Sequence, residues 1–291
     1  MKFKQIIWAY ASFAIFGTMP ALAAPNETVT VYGLSPKIVL HEIRKMASGQ
    51  WDAQLARWDS AFCPGVLGLD EPFQGIVLKH LDRAARAVIP GLPATCKTKN
   101  AFIVFSENGS AMFDAIDKGL PTLGNGYDSS NVSKQDFEPP DRRIVAQLRQ
   151  DRPVRWYRST SVQYFNGAWG DASAQSAKFD EKGTLLRTTF TIVIVDRNLA
   201  SGASWGQLAD YVAFVVLAAP ALGENFNQNS IMSLYDEGRF QSTAPSLMTP
   251  LDDAVLRALY AANPAQDAHA EQTEIATSVS SEVTHKTRAT H

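Results

Sequence analysis

The feature that most constrains the fold is a strand-like run followed almost at once by a helix-like run that is apolar on every side. Thr184 to Asp196 (TLLRTTFTIVIVD) is β-branched and nearly continuous, which predicts a strand central in its sheet. After RNLASGAS the chain enters WGQLADYVAFVVLAAP from Trp205, then the turn SIMSLYDE, then a closing helix in LMTPLDDAVLRALYAANP. A chain that must bury such a strand and such a helix needs a sheet with helices packed on it. The predicted class is therefore mixed α/β (α+β). The closing helix is marked locally: Thr249 can cap it, Pro250 suits its first position, and Asp252-Asp253 favour its positive end. Leu251, Val255, Ala258 and Leu259 would then bury one face.

The chain opens on MKFKQ, an apolar stretch from Ile6 to Phe16, and the small-residue triplet Ala21-Leu22-Ala23. This pattern predicts a secretory signal peptide over residues 1–23, with no membrane anchor left after cleavage and a periplasmic or secreted mature chain. Loss of Lys2 and Lys4 would take the formal net charge from −2 to −4, a balance that argues against a nucleic-acid partner. Cys63 and Cys96 are the two cysteines of the chain. In an oxidising compartment they predict a disulfide, worth about 3 to 4 kcal/mol in the chain-entropy model.

Residues 24–264 read as a single mixed domain. TVTVY from Thr28 predicts a short strand, Ser35-Pro36 the start of a helix through Ala47, and Trp51 to Phe62 a helix with Trp51, Leu55 and Trp58 on one face. Cys63-Pro64-Gly65 reads as the turn after it. Further helices are expected over Pro72 to Ile89, Ser110 to Lys118 and Arg142 to Gln150, and a buried strand over Ala101 to Phe105. Gly119 to Pro140 predicts a surface loop, in which Asn125, Asp128 and Asn131 lack the carboxylate density of a calcium site. Residues 265–291 lack apolar periodicity and predict a disordered tail that carries His269, His285 and His291.

Candidate site residues are few. Arg152 to Arg158 (RPVRWYR) is a basic-aromatic cluster in which Arg155, Trp156, Tyr157 and Arg158 could grip an anion or a glycan; the alternative is an edge strand with solvated arginines. His80, on the apolar side of its helix, reads as a hydrogen-bonded core histidine rather than a ligand. Asp210 is the weak catalytic candidate, a carboxylate on an apolar helix; the favoured alternative is an exposed first-turn acid facing the helix dipole. Tyr211, Tyr235 and Asp236 could join it in a cleft. No serine elbow is visible.

The order strand, helix, Ser230-Ile231-Met232, then Leu247-Met248-Thr249-Pro250-Leu251-Asp252 with Leu256 and Leu259-Tyr260, resembles the metzincin zinc peptidases. In that layout HExxHxxGxxH lies on the helix, a methionine turn sits beneath the zinc, and a closing helix follows. The chain also resembles a bacterial secreted domain family of unknown function that is itself metzincin-like and often lacks the zinc residues. The likeness covers residues 184–262, with weaker support back to Arg152, so that 152–262 forms the metzincin-like half.

What the resemblance implies is a zincin/metzincin-like sheet with packed helices and a degenerate active-site helix. Ala209, Ala213 and Ala219 stand at the three histidine positions, Asp210 at the glutamate, Val216 at the glycine, and Met232 in the methionine turn. Alanine cannot coordinate zinc, so no metal and no cofactor are expected. The function expected is a non-catalytic scaffold that binds a peptide, an envelope polymer or a partner protein. The alternatives are a hydrolase using Asp210 with a metal or nucleophile from elsewhere in the fold, and a purely structural envelope protein.

Overall fold

In the computed structural model, which describes residues 36–48, 54–119, 142–164 and 184–289, the sequence resolves into a mixed sheet with helices on both faces. The elements in chain order are α1 (Pro36–Met46), β1 (Pro64–Leu67), α2 (Phe73–Val88), β2 (Ala101–Ser106), α3 (Gly109–Gly119), α4 (Arg142–Arg149), β3 (Val154–Tyr164), β4 (Thr184–Asp196), α5 (Trp205–Ala218), β5 (Tyr235–Asp236), β6 (Arg239–Phe240), α6 (Pro250–Ala261) and α7 (Ala268–Ala289). The chain is thus mixed α+β. The expected signal peptide, the strand at Thr28 and the loop after Gly119 lie outside the described residues.

The main sheet has the order β1-β2-β4-β3, with β1, β2 and β4 parallel and β3 antiparallel to β4. The strongest strand of the sequence, β4, is internal, as its composition predicts. Its alternate residues serve two layers: Val193 and Val195 join the large core with α1, α2, α5, α6 and α7, while Ile192 and Ile194 pack with Phe113 of α3 and Leu148 of α4. On β3 the same alternation sends Trp156 to the first layer and Tyr157 to the second.

Helix α5 is apolar all round and is accordingly covered all round: Leu208 through Ala218 are buried without a break. It starts at a capping box in which Ser204 Oγ accepts from Gln207 N and the Gln207 side chain accepts from Ser204 N. Helix α6 begins as predicted, at Thr249 with Pro250 in the first turn.

Three expectations fail. Residues 54–62 are not helical. Leu55 and Trp58 are buried, but the backbone there is recruited by other parts of the fold: Leu55 N donates to Glu271 Oε2, and Arg57 exchanges backbone hydrogen bonds with Leu186 and Thr188. Cys63-Pro64-Gly65 is not a turn; Pro64 opens edge strand β1, a position that needs no N–H. Nor are residues 265–289 disordered. α7 buries Ala268, Ile275, Ala276 and Val279, together with Glu271, whose Oε1 accepts from Arg57 Nη2 at 2.7 Å. Desolvation pushes the Glu271 carboxyl up to about 7 despite that partner.

Cys63 and Cys96 form the expected disulfide, with a Cα–Cα distance of 5.8 Å. It ties the start of β1 to the chain ahead of β2, and structural disulfides of this kind belong to oxidising compartments. Among the described residues no helix is long and apolar enough to cross a membrane.

Candidate functional site

The row of residues that resembles a zinc helix is packed solid. Ala209 and Ala213 have no exposed surface, and Ala219, the left-handed cap of α5 at φ 46°, is 8% exposed. Val216 is buried within a helix that runs on through Ala218. Methyl groups in a filled core offer no donor atoms, so these positions do not fit a metal. Among the described residues no group of three His, Cys, Asp or Glu side chains is arranged to hold one.

Asp210 is not an exposed first-turn acid. It lies in the second turn of α5, is fully buried, and has both oxygens engaged. Oδ1 meets His80 Nδ1 at 2.6 Å and accepts from Arg83 Nη2 at 2.5 Å; Oδ2 accepts from Met248 N at 2.7 Å. An ionised carboxylate only accepts, and in that state the contact calls for a proton on His80 Nδ1. Asp210 thereby joins α5 to α2 and to the loop ahead of α6. His80 is the hydrogen-bonded histidine expected of its place on α2, with 17% of its side chain exposed.

Met232 has no exposed surface and sits in a short 3-10 turn, Ile231–Leu234, packed against α5. That turn is fastened by Asp252 of α6, which is also fully buried. Its Oδ1 accepts from Ser230 Oγ at 2.5 Å, and its Oδ2 accepts from Ile231 N, Thr249 N and Thr249 Oγ1 at 2.8 to 2.9 Å. All four donors are neutral, and burial pushes the carboxyl up to about 6. The pairing of SIM with TPLD therefore has a structural cause that needs no metal.

The basic-aromatic cluster forms part of the edge strand, as one of its two readings predicts, but its arginines are not solvated and its four residues do not converge. Arg155 is fully buried beside Gly109 and donates through Nη2 to the carbonyls of Gln150 and Arg152, leaving Nε and Nη1 without partners among the described residues. Tyr157 packs on the α3 side. Arg158 turns to the carbonyls of Ser48 and Ala56, and burial lowers it to about 10. Trp156 alone of the four lines a cleft.

That cleft, of about 250 Å³, lies where β3 begins and is bounded by residues 150–154, 223–226, 235, 237 and 238. Trp156, Tyr211 and Tyr235 form a continuous aromatic wall: Trp156 and Tyr211 meet edge-to-face at 6.5 Å, and Tyr211 and Tyr235 at 5.3 Å. Trp156 Nε1 donates to Pro220 O and Tyr235 Oη to Ala200 O, which fixes both rings. Burial raises both tyrosine hydroxyls well above their ordinary range, so they stay neutral. Tyr211 and Tyr235 do converge, but on this cleft rather than around Asp210. Asp236 is not part of its lining.

The cation of the cleft is Arg152, half-buried, with Nη2 donating to Gln150 Oε1 at 3.1 Å and Nε buried without a partner among the described residues. Burial lowers its pKa. The exposed acids Glu224 and Glu237 stand at the mouth. Sequence reasoning named the RPVRWYR stretch but not Arg152 as its site residue. The loop residues 223–226 carry no local signal and join the site only through the tertiary fold.

Compared with known proteins, the chain matches no family model, and neither a curated protein nor a solved structure shows significant similarity to it.

Proposed function

We propose that this is an extracytoplasmic, non-catalytic binding protein, periplasmic or secreted, built on a degenerate metzincin-like scaffold. Its partner would be a peptide, an envelope polymer or a protein segment, taken in the cleft lined by Arg152, Trp156, Tyr211 and Tyr235. The observation that carries this reading is a separation. The helix row that would hold zinc is filled with buried alanine, whereas the open aromatic concavity lies elsewhere and offers a cation without a carboxylate partner among the described residues. Concave sites with an aromatic wall and a few polar groups are where ligands bind. The disulfide supports the compartment.

The test is retention of a degenerate hexapeptide library on immobilised protein, with the bound peptides read by mass spectrometry. Wild type is expected to retain an intact subset that Trp156→Ala loses. Equal retention by the variant would sink the reading, and shortened peptides would replace it with a hydrolase.

One observation favours that second reading. His80 is oriented by Asp210 at 2.6 Å and keeps part of its ring exposed, an arrangement in which Nε2 could exchange a proton with a substrate. Library hydrolysis that disappears in His80→Ala would establish it.

A further inference from the structure

If the cleft is a binding site, the chemistry of its walls narrows what enters it. We infer that it takes the α-carboxylate end of a short peptide or a free amino acid, with the terminal side chain against Trp156 and Tyr211. The inference rests on the binding reading above and adds the ligand class.

Arg152 is the anchor. Most exposed arginines point into water or pair with acids, but this one is desolvated on the cleft wall, with one nitrogen on Gln150 Oε1, a buried unpartnered Nε, and no carboxylate in ion-pair range among the described residues. Gly223 stands over it: a Cβ there would lie 3.8 Å from Arg152 Nη2, and its φ of 82° disfavours any side chain. Residue 223 therefore puts no side chain over the guanidinium, and the Gln147 amide is its neighbour on that side. Its Nε is buried, so a ligand would meet the guanidinium at its terminal nitrogens, and a planar cation in a partly dry pocket is matched by a carboxylate.

The other charges decide the kind of anion. Glu224 and Glu237 are exposed at the mouth, and Asp151 lies beside Arg152, with its Oδ1 held by Ser110 Oγ at 2.8 Å. A phosphate, a nucleotide or a polyanionic polymer would set its extra charge against these acids. A single carboxylate deep in the cleft sets one negative charge against Arg152 and the fewest against the acids, and the ammonium of a free amino acid or a peptide N–H donor can face the mouth. Size agrees. About 250 Å³ is below the roughly 300–1,000 Å³ of clefts that enclose drug-sized ligands, so the site encloses a group the size of a residue, as a chain end presents.

The experiment is calorimetric titration of the full mature chain with Gly-Gly-Phe, its C-terminal amide and free phenylalanine, repeated with Arg152→Gln and Trp156→Ala. Thermal melts verify that each variant is folded. Gly-Gly-Phe is expected to bind at least tenfold more tightly than its amide, and Arg152→Gln to lose that discrimination while Trp156→Ala weakens acid and amide alike. Free phenylalanine separates the two sources: affinity equal to the tripeptide assigns an amino-acid ligand, and much weaker affinity assigns a peptide terminus.

Equal binding of acid and amide, still abolished by Trp156→Ala, would overturn the carboxylate inference and leave the cleft as a binding site. Discrimination that persists in Arg152→Gln would overturn the role of Arg152. No binding of any of the three probes by wild type overturns the inference, while peptides retained from the hexapeptide library would still uphold the cleft.

Discussion

Two regions of the molecule share helix α5 and differ in what surrounds them. Along α5 the positions Ala209, Ala213 and Ala219 are sealed among other side chains. On the flank of the same helix, Tyr211 opens onto the cleft with Trp156, Tyr235 and Arg152. Burial on all sides explains the first: a helix whose every face is apolar gains most when nothing is left open around it. The second exists because β3 brings alternate residues to that flank and the loop residues 223–226 do not fill the space. The difference teaches that an apolar run says where a helix will lie, and nothing about which of its faces meets open space.

The sharpest way to break this comparison is to restore donors to the sealed row. Ala209→His with Ala213→His puts two rings and unpaired polar atoms into a full core, a loss on the order of 5 kcal/mol, close to the whole stability of many domains. Urea unfolding is expected to show a largely unfolded variant that added zinc does not rescue. A stable, zinc-binding double variant would show that the row is not sealed.

Next in size is Asp210→Ala, which strips His80, Arg83 and the Met248 N–H of their shared acceptor. Charge-assisted hydrogen bonds of this kind place the loss at about 3 kcal/mol, moderated because Arg83 is half exposed. The denaturation midpoint is expected to fall while library retention at the cleft persists. Loss of retention in a folded Asp210→Ala protein would join the two regions again.

Asp252 gives a pH signature of the scaffold itself. Its folded carboxyl titrates at about 6 against a reference of 3.8, so between those values the folded state holds a proton that the unfolded state has released. Stability contributed by this group is thus present at low pH and lost as pH rises from about 4 to about 6, by about 3 kcal/mol, and is flat above. Comparison of urea unfolding for wild type and Asp252→Asn across that range isolates the effect: the difference between them should shift with pH in that window only. A pH-independent difference would mean that Asp252 is ionised at its ordinary pKa.

The smallest expected effect sharpens the other side. Arg152→Gln removes a desolvated guanidinium with one neutral partner, so its melting point should move little, within about 0.5 kcal/mol. A large loss would make Arg152 a structural residue rather than a waiting one.

How much of this could be read from the chain follows from how local each cause is. β4 and α6 were legible because a β-branched run and a Thr-Pro-x-Asp cap act within a few residues. Trp51 to Phe62 misled because the helical spacing of Leu55 and Trp58 competes with hydrogen bonds to Leu186, Thr188 and Glu271, all distant in the chain. α7 looked featureless because its buried face mixes Ala268, Ala276 and Gln272 with Glu271, an acid that is tolerable inside only with Arg57 beside it. The cleft was half legible: RPVRWYR, Tyr211 and Tyr235 stood out, but strand alternation chose Trp156 and set aside Arg155 and Tyr157. Nothing local tied loop residues 223–226 to that end of the strand.

The central claim is that ligand seats in the cleft and is not processed at Asp210. Amide NMR of the mature chain, titrated with the retained hexapeptides and followed in the same tube by mass spectrometry, tests both halves at once. The account expects shifts confined to residues 150–156, 211, 223–226 and 235–238, with every peptide intact. Shifts centred on His80, Asp210 and Met248, with shortened peptides in the tube, would contradict it.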